Sequence, residues 1–180
     1  MRPQRPLLLT TLTLLALGLL LPASSSAQQH QYNFTVGLMG GIGGSPDAEP
    51  DLGVDNFGYE AFFSMETLVR TRFVIRAGQM GLDSDGSVVD TDLNYLTLAG
   101  EYEFTEGSYE AGLFLGLGLY ELDPAFGIQD ESAVGLTVGT TGDIRLTDRL
   151  SVIVEISGHY ADFDYAQFFL MGHAGIAFHF

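Results

Sequence analysis

The chain has 180 residues, room for one domain, with no cysteine and only seven basic residues against 23 acidic ones, a net charge of −16. Without cysteine, disulfide stapling is excluded, and the fold must hold by burial and backbone pairing. With no lysine and few arginines, a nucleic-acid partner is excluded, because phosphate binding demands clustered positive charge.

The chain opens with Arg2 and Arg5, an apolar run from Leu7 to Leu21, and the small residues of Pro22-Ala23-Ser24-Ser25-Ser26-Ala27. That order is a secretory signal peptide over 1–27, cleaved after Ala27. The apolar run falls short of the roughly 20 residues that a spanning helix needs. Residues 28–180 are therefore expected to form one exported domain. Arg2 and Arg5 would leave with the signal, so the exported part is more acidic still. The acidity has two readings, a face that holds divalent cations or adaptation to high salt, and both stay open.

After residue 28 no helical stripe appears, and period-two alternation recurs, as in a strand with two unlike faces. The first run sets Tyr32, Phe34, Val36 and Leu38 against Asn33, Thr35, Gly37 and Met39. The second sets Phe57, Tyr59, Ala61 and Phe63 against Gly58, Glu60, Phe62 and Ser64. A third, over 72–81, opposes Phe73, Ile75 and Ala77 to Val74, Arg76 and Gly78. The fourth alternates Leu96, Leu98 and Tyr102 with Tyr95, Thr97 and Glu101. In the fifth, Leu113, Leu115, Leu117 and Leu119 alternate with Gly112, Phe114, Gly116 and Gly118. Three more follow, around Val134–Gly139, Leu150–His159 and Phe168–Phe180.

Eight runs of about 10 residues suit tilted strands that cross a bilayer. Short connections are expected at Leu68–Arg72, Thr105–Ser108 and Thr147–Arg149. Long, polar ones are expected at Ile42–Asn56, Leu82–Asp92, Asp123–Glu131 and Ala161–Gln167. Short turns on one rim and long loops on the other mark an outer-membrane barrel. The fold class is thus all-β, an eight-stranded antiparallel up-and-down transmembrane β-barrel, with both termini periplasmic. The glycine-rich charged face is expected inside, and the apolar face outside, against lipid. Aromatic girdles are expected at Phe73, Tyr102, Phe104, Tyr109 and Phe178 on the short-turn rim. On the other rim they fall at Phe57, Tyr59, Tyr160 and Phe168.

The last residues, His173-Ala174-Gly175-Ile176-Ala177-Phe178-His179-Phe180, run polar, any, glycine, any, any, hydrophobic, any, terminal aromatic. This stretch resembles the last strand of the OmpA/OmpX-like small outer-membrane barrels, and Leu146-Thr147-Asp148-Arg149-Leu150 is similar to a turn common among them. The resemblance implies that His173, Gly175, Phe178 and Phe180 form the signal read by the barrel-assembly machinery. It also implies an OmpX-like, barrel-only member, with outer-membrane lipid as its surroundings.

Several groups of residues are candidates for chemistry. Glu60, Glu66, Arg76, Glu101, Glu103, Glu110, Asp143, Arg145 and Glu155 all have inward parity and are expected to form an ion network, with Arg76 and Arg145 as its cations. Arg70, Arg72 and Arg149 are expected at the periplasmic rim. Glu155, Ser157 and His159 share one face, but a spacing of about 7 Å between successive side chains on a face argues against direct hydrogen bonds. His159, His173 and His179 also face inward, yet are not expected to converge on a metal. Asp83-Ser84-Asp85-Gly86 with Asp90 and Asp92 resembles a calcium-binding turn, and Asp47, Glu49, Asp51 and Asp55 make the neighbouring loop acidic; two readings stay open, a solvated acidic loop with no cofactor and a site for calcium or magnesium. No other cofactor and no particular extracellular partner can be read.

The leading functional expectation is a non-enzymatic integral barrel with a structural or surface-interaction role through acidic extracellular loops. A narrow ion-conducting pore through the lumen and a lipid A-modifying enzyme are the alternatives.

Overall fold

The computed structural model describes residues 34–47, 52–68, 70–83, 90–104, 109–124, 131–164 and 166–180. The expected signal segment lies outside them. Eight strands run in order: β1 (Phe34–Ser45), β2 (Leu52–Leu68), β3 (Thr71–Asp83), β4 (Asp90–Glu103), β5 (Tyr109–Pro124), β6 (Glu131–Arg145), β7 (Leu150–Ala161) and β8 (Phe168–His179). Each pairs antiparallel with its chain neighbour, and β8 pairs with β1 to close the barrel. Closure satisfies the ladder at every strand, which a hydrocarbon surround requires.

Register fixes the tilt. Partners lead from Phe34 to Met65, Phe73, Gly100, Leu115, Val138, Gly158 and Leu170, and arrive back on β1 at Gly44. One circuit therefore displaces the line by 44 − 34 = 10 residues. Eight strands with that stagger tilt about 40° from the axis and enclose a space only as wide as side chains can fill.

Both described chain ends, Phe34 and Phe180, lie on one rim, exchanging backbone hydrogen bonds of 2.9 Å in each direction. This terminal rim also carries the tight turns. Thr147 Oγ1 accepts from the amides of Arg149 and Leu150 at 3.2 and 3.0 Å. Arg70 takes a left-handed backbone, φ 64°, to turn from β2 into β3. The opposite rim is the loop rim.

The alternation reads as expected on the outside. Leu113, Leu115, Leu117 and Leu119 are 57–64% exposed, while Phe114 between them is 2% exposed. Among the described residues, 29 large apolar or aromatic side chains expose 36% or more of their surface. Such a band far exceeds the few hundred Å² that a soluble monomer leaves open, so hydrocarbon and not water is its matching solvent. The band is edged by rings. Phe73, Tyr102, Phe104, Tyr109 and Phe178 point outward at the terminal rim, and Phe57, Tyr59, Tyr160 and Phe168 at the loop rim.

At the loop rim the strands run further than the alternation predicted. Residues 82, 83 and 90–92 belong to strands, β1 reaches Ser45, and β5 reaches Pro124. Polar and glycine residues there suggest loops, but the inward positions Leu82, Leu93 and Leu122 stay apolar and keep the ladder packed. The interior is thus two-part, charged towards the terminal rim and apolar towards the loop rim.

Candidate functional site

The charged part of the lumen is built on β3. Arg72, Val74 and Arg76 alternate inward, and both arginines are buried. Arg72 donates to Glu101 Oε1 at 2.6 Å and lies 3.1 Å from Glu103. Arg76 Nη2 meets the other Glu101 oxygen at 3.3 Å, while its Nε donates to Glu155 Oε2 at 2.8 Å and lies 3.6 Å from Glu60. Tyr95 closes the chain by donating to Glu60 Oε2 at 2.9 Å, and Thr141 donates to Glu101. The Arg76 guanidinium carbon lies 4.0 Å from the centre of the Phe114 ring. A continuous ladder of charge-assisted bonds thereby ties β2, β3, β4 and β7 across the lumen, which is how buried charges escape the penalty of isolation.

The expected members of this network divide. Arg76, Glu101 and Glu155 are central, as are Glu60 and Glu103. Glu110 and Arg145 instead form their own pair, 2.9 Å apart, with the arginine side chain 36% exposed at the terminal rim. Glu66 is only partly buried, in register with Arg72. Arg72 is the correction: expected at the rim, it is an interior cation, because its parity on β3 matches Arg76. Parity was the available signal, and its proximity to the turn concealed it. Asp143 joins a separate terminal-rim cluster. Ser151 donates to Asp143 at 3.0 Å and contacts His179 Nε2 at 2.9 Å, and Thr35 meets His179 Nδ1 at 3.0 Å.

Above the charged layer stands an apolar cap. Met80, Leu82, Leu93, Tyr95, Tyr120, Phe163, Phe169 and their neighbours form one buried cluster. Phe163 and Phe169 meet edge to face, and Tyr120 packs on His159 in the same manner. Gly118 makes room for the Tyr120 ring, since a Cβ there would stand 2.6 Å from Cε2. A lumen lined throughout by Glu, Arg, Thr and Gly was the expectation, and this cap corrects it.

The polar row of β7 also differs from expectation. His159 Nε2 and Ser157 Oγ are 3.0 Å apart, because the imidazole leans along the strand and spans the gap between neighbouring positions. His159 Nδ1 meets Tyr120 at 2.9 Å, while Glu155 turns away to Arg76. Ser157 and His159 are 1% and 0% exposed, so a substrate in the lipid has no approach to them. The three inward histidines have different partners: His159 bonds under the cap, His179 at the terminal rim, and His173 lies in register with Glu155. His173 has a different company, with ligating atoms of Glu60, Glu155 and His173 all within 4.8 Å of one another. Sequence spacing could not reveal this group, because it assembles from three strands through the stagger of the barrel.

Of the calcium-like turn, Asp85 lies outside the described residues. Asp83 and Asp90 are register partners at strand ends, and Asp92 is a β4 residue opposite Gly81. Of the acids expected in the preceding loop, Asp47 is an exposed turn residue, Asp55 belongs to β2, and Glu49 and Asp51 lie outside the described residues. In the last strand, Phe178 and Phe180 are exposed on the outer face, with ring centres 6.2 Å apart. His173 faces the lumen, and Gly175 lies opposite Met39.

No protein-family model matches the sequence, and no curated protein matches it. Solved structures do. Neisserial surface protein A superposes with a TM-score of 0.65 at 16% identity, covering 83% of this chain and 97% of that one. The chain has the fold of the small outer-membrane β-barrels. The outer-membrane protein OprG from Pseudomonas aeruginosa matches with a TM-score of 0.62 at 10% identity, covering 83% of this chain and 96% of that one. Ail, the attachment invasion locus protein of Yersinia pestis, gives 0.55 at 16% identity over 83% and 97%. With identities this low, the shared feature is the fold of eight closed strands.

Proposed function

We propose that the chain is an integral barrel of a bacterial outer membrane, exported by segment 1–27, with its terminal rim towards the periplasm. In this reading it works without catalysis, as a structural and surface-interaction element whose partners meet the loop rim. The observation that carries the reading is the closed lumen. Ion pairs fill its middle, and the cap around Tyr120 and Phe169 covers its loop end. An eight-stranded barrel has little space beyond its side chains, and an apolar cap opposes the passage of ions through it.

What remains accessible is an acidic rim. Asp47, Glu121, Asp123, Asp162 and Asp164 are exposed there. These acids suit calcium or magnesium, hard cations with a preference for oxygen, that would link the rim to neighbouring anionic groups. The strand-end acids Asp83, Asp90 and Asp92, with Asp85 between them, belong to the same proposal. Phe180, with His173, Gly175 and Phe178, would serve as the segment recognised during assembly.

Planar-bilayer recording tests the closed lumen. Purified, refolded protein should give no reproducible openings. Openings that disappear on changing Arg76 or Glu101 would assign a conducting pore instead.

A further inference from the structure

We infer that the lumen holds a binding site for one divalent transition-metal ion, such as zinc, formed by Glu60, Glu155 and His173. The inference is independent of the envelope role, since it concerns the inside of the barrel.

The three side chains come from β2, β7 and β8 and are 1%, 2% and 3% exposed. Their ligating atoms all lie within 4.8 Å of one another. Each carboxylate commits one oxygen to a hydrogen bond, and the other Glu60 oxygen, Oε1, lies 3.6 Å from Arg76 Nε. Glu60 Oε2 accepts from Tyr95, and Glu155 Oε2 accepts from Arg76. The Oε1 atoms of both have no hydrogen-bond partner, and neither has either ring nitrogen of His173. Buried polar atoms are ordinarily satisfied, so unpartnered oxygens of Glu60 and Glu155 beside an unpartnered imidazole call for a ligand. The committed oxygens resemble the outer bonds that orient metal ligands elsewhere.

Charge leads to the same kind of ligand. In this part of the lumen Arg72 and Arg76 face Glu60, Glu101, Glu103 and Glu155. Two guanidinium groups leave the carboxylates in excess, and a cation would offset it. An imidazole nitrogen with two carboxylate oxygens suits zinc and its neighbours, whereas calcium and magnesium favour oxygen alone. Ligands on one zinc ion at about 2.0–2.1 Å stand roughly 3.3 Å apart, so the group has to contract by about 1.5 Å at most, within reach of side-chain rotation.

The backbone makes space for this meeting. Gly41 on β1 is in register with His173 on one side and Gly58 on the other. A Cβ at Gly41 would stand 2.6 Å from His173 Cδ2. Glycine there lets the β8 backbone and the His173 ring approach β1 closely, since a Cβ would also collide with the Gly172 carbonyl oxygen.

The test uses the full barrel, folded in detergent with zinc chloride and passed through gel filtration. Mass spectrometry of the eluted metal should find about one zinc per folded barrel. His173→Gln, Glu155→Gln and Glu60→Gln should each lower zinc affinity at least tenfold, while His159→Gln should retain it. Heat-modifiable gel migration confirms that each variant is folded. Zinc bound equally by the His173→Gln variant would place it at the acidic rim and overturn the inference, as would absence of zinc from the folded wild type. A readout free of substitution comes from cobalt(II): His173 ring protons should show large paramagnetic shifts. Shifts confined to other histidines would overturn the site as well.

Discussion

Arg76 Nε lies 2.8 Å from Glu155 Oε2, joining β3 to β7 across the lumen although the two strands share no backbone ladder. Removing the arginine alone strands Glu155 in a buried space and leaves Glu60 with only the Tyr95 hydroxyl, while Glu101 keeps Arg72. Arg76→Met should lower stability by about 3–5 kcal/mol, the usual consequence of breaking a buried pair on one side. Combining it with Glu155→Gln should recover part of the loss. Urea unfolding followed by gel migration measures both.

The cap makes a separate demand. Phe169 is fully buried and packs edge to face on Phe163. Phe169→Ala should cost about 3–5 kcal/mol, as large-to-small changes in packed cores do. Phe168→Ala, on the outer face beside it, should cost less. Thermal unfolding in detergent distinguishes the two.

Much of this was legible in the alternation. The outward leucines of β5, the girdle rings and the inward glutamates all follow from parity, which register cannot change without turning every side chain over. Arg72 sits close to a turn and also on the inward parity of β3, and its burial follows from the parity. The cap was hidden because Asp and Gly at the strand ends speak for loops, whereas Leu82, Leu93 and Leu122 continue the pattern only when the ladder is known. The meeting of Glu60 with His173 depends on the ten-residue stagger, a property of closure that no single strand contains.

At the loop rim, Asp47 accepts from Ser45 Oγ at 2.8 Å and from the amides of Phe168 and Gln167 at 3.1 and 3.2 Å. Partial burial pushes its carboxyl up, but the Ser45 hydroxyl and the two amides outweigh that and hold it below the usual carboxylate value. A folded pKa below the unfolded one contributes stability that is present above about pH 4 and is lost as pH falls through the folded value. The Phe168 and Gln167 amides should therefore lose protection, relative to their intrinsic exchange rates, in acid. Asp47→Asn should abolish that pH dependence, as read by amide hydrogen exchange.

On the outer face, Leu115 is 64% exposed in the middle of the β5 leucine row. If that row faces lipid, Leu115→Arg should destabilise the barrel by about 2–4 kcal/mol in bilayers. Leu146→Arg, beyond the terminal girdle, should cost far less. Unfolding titrations in vesicles give the comparison.

The absence of cysteine allows single spin labels to be placed one at a time from Leu113 to Leu119. Power-saturation spectroscopy in vesicles then reports contact with oxygen, which partitions into lipid, and with a water-soluble nickel chelate. Labels at 113, 115, 117 and 119 should be reached by oxygen and shielded from nickel, while one at the inward Phe114 should be immobilised and reached by neither. Nickel access at the leucine positions, or oxygen access without alternation, would contradict a barrel that turns its apolar face to the membrane.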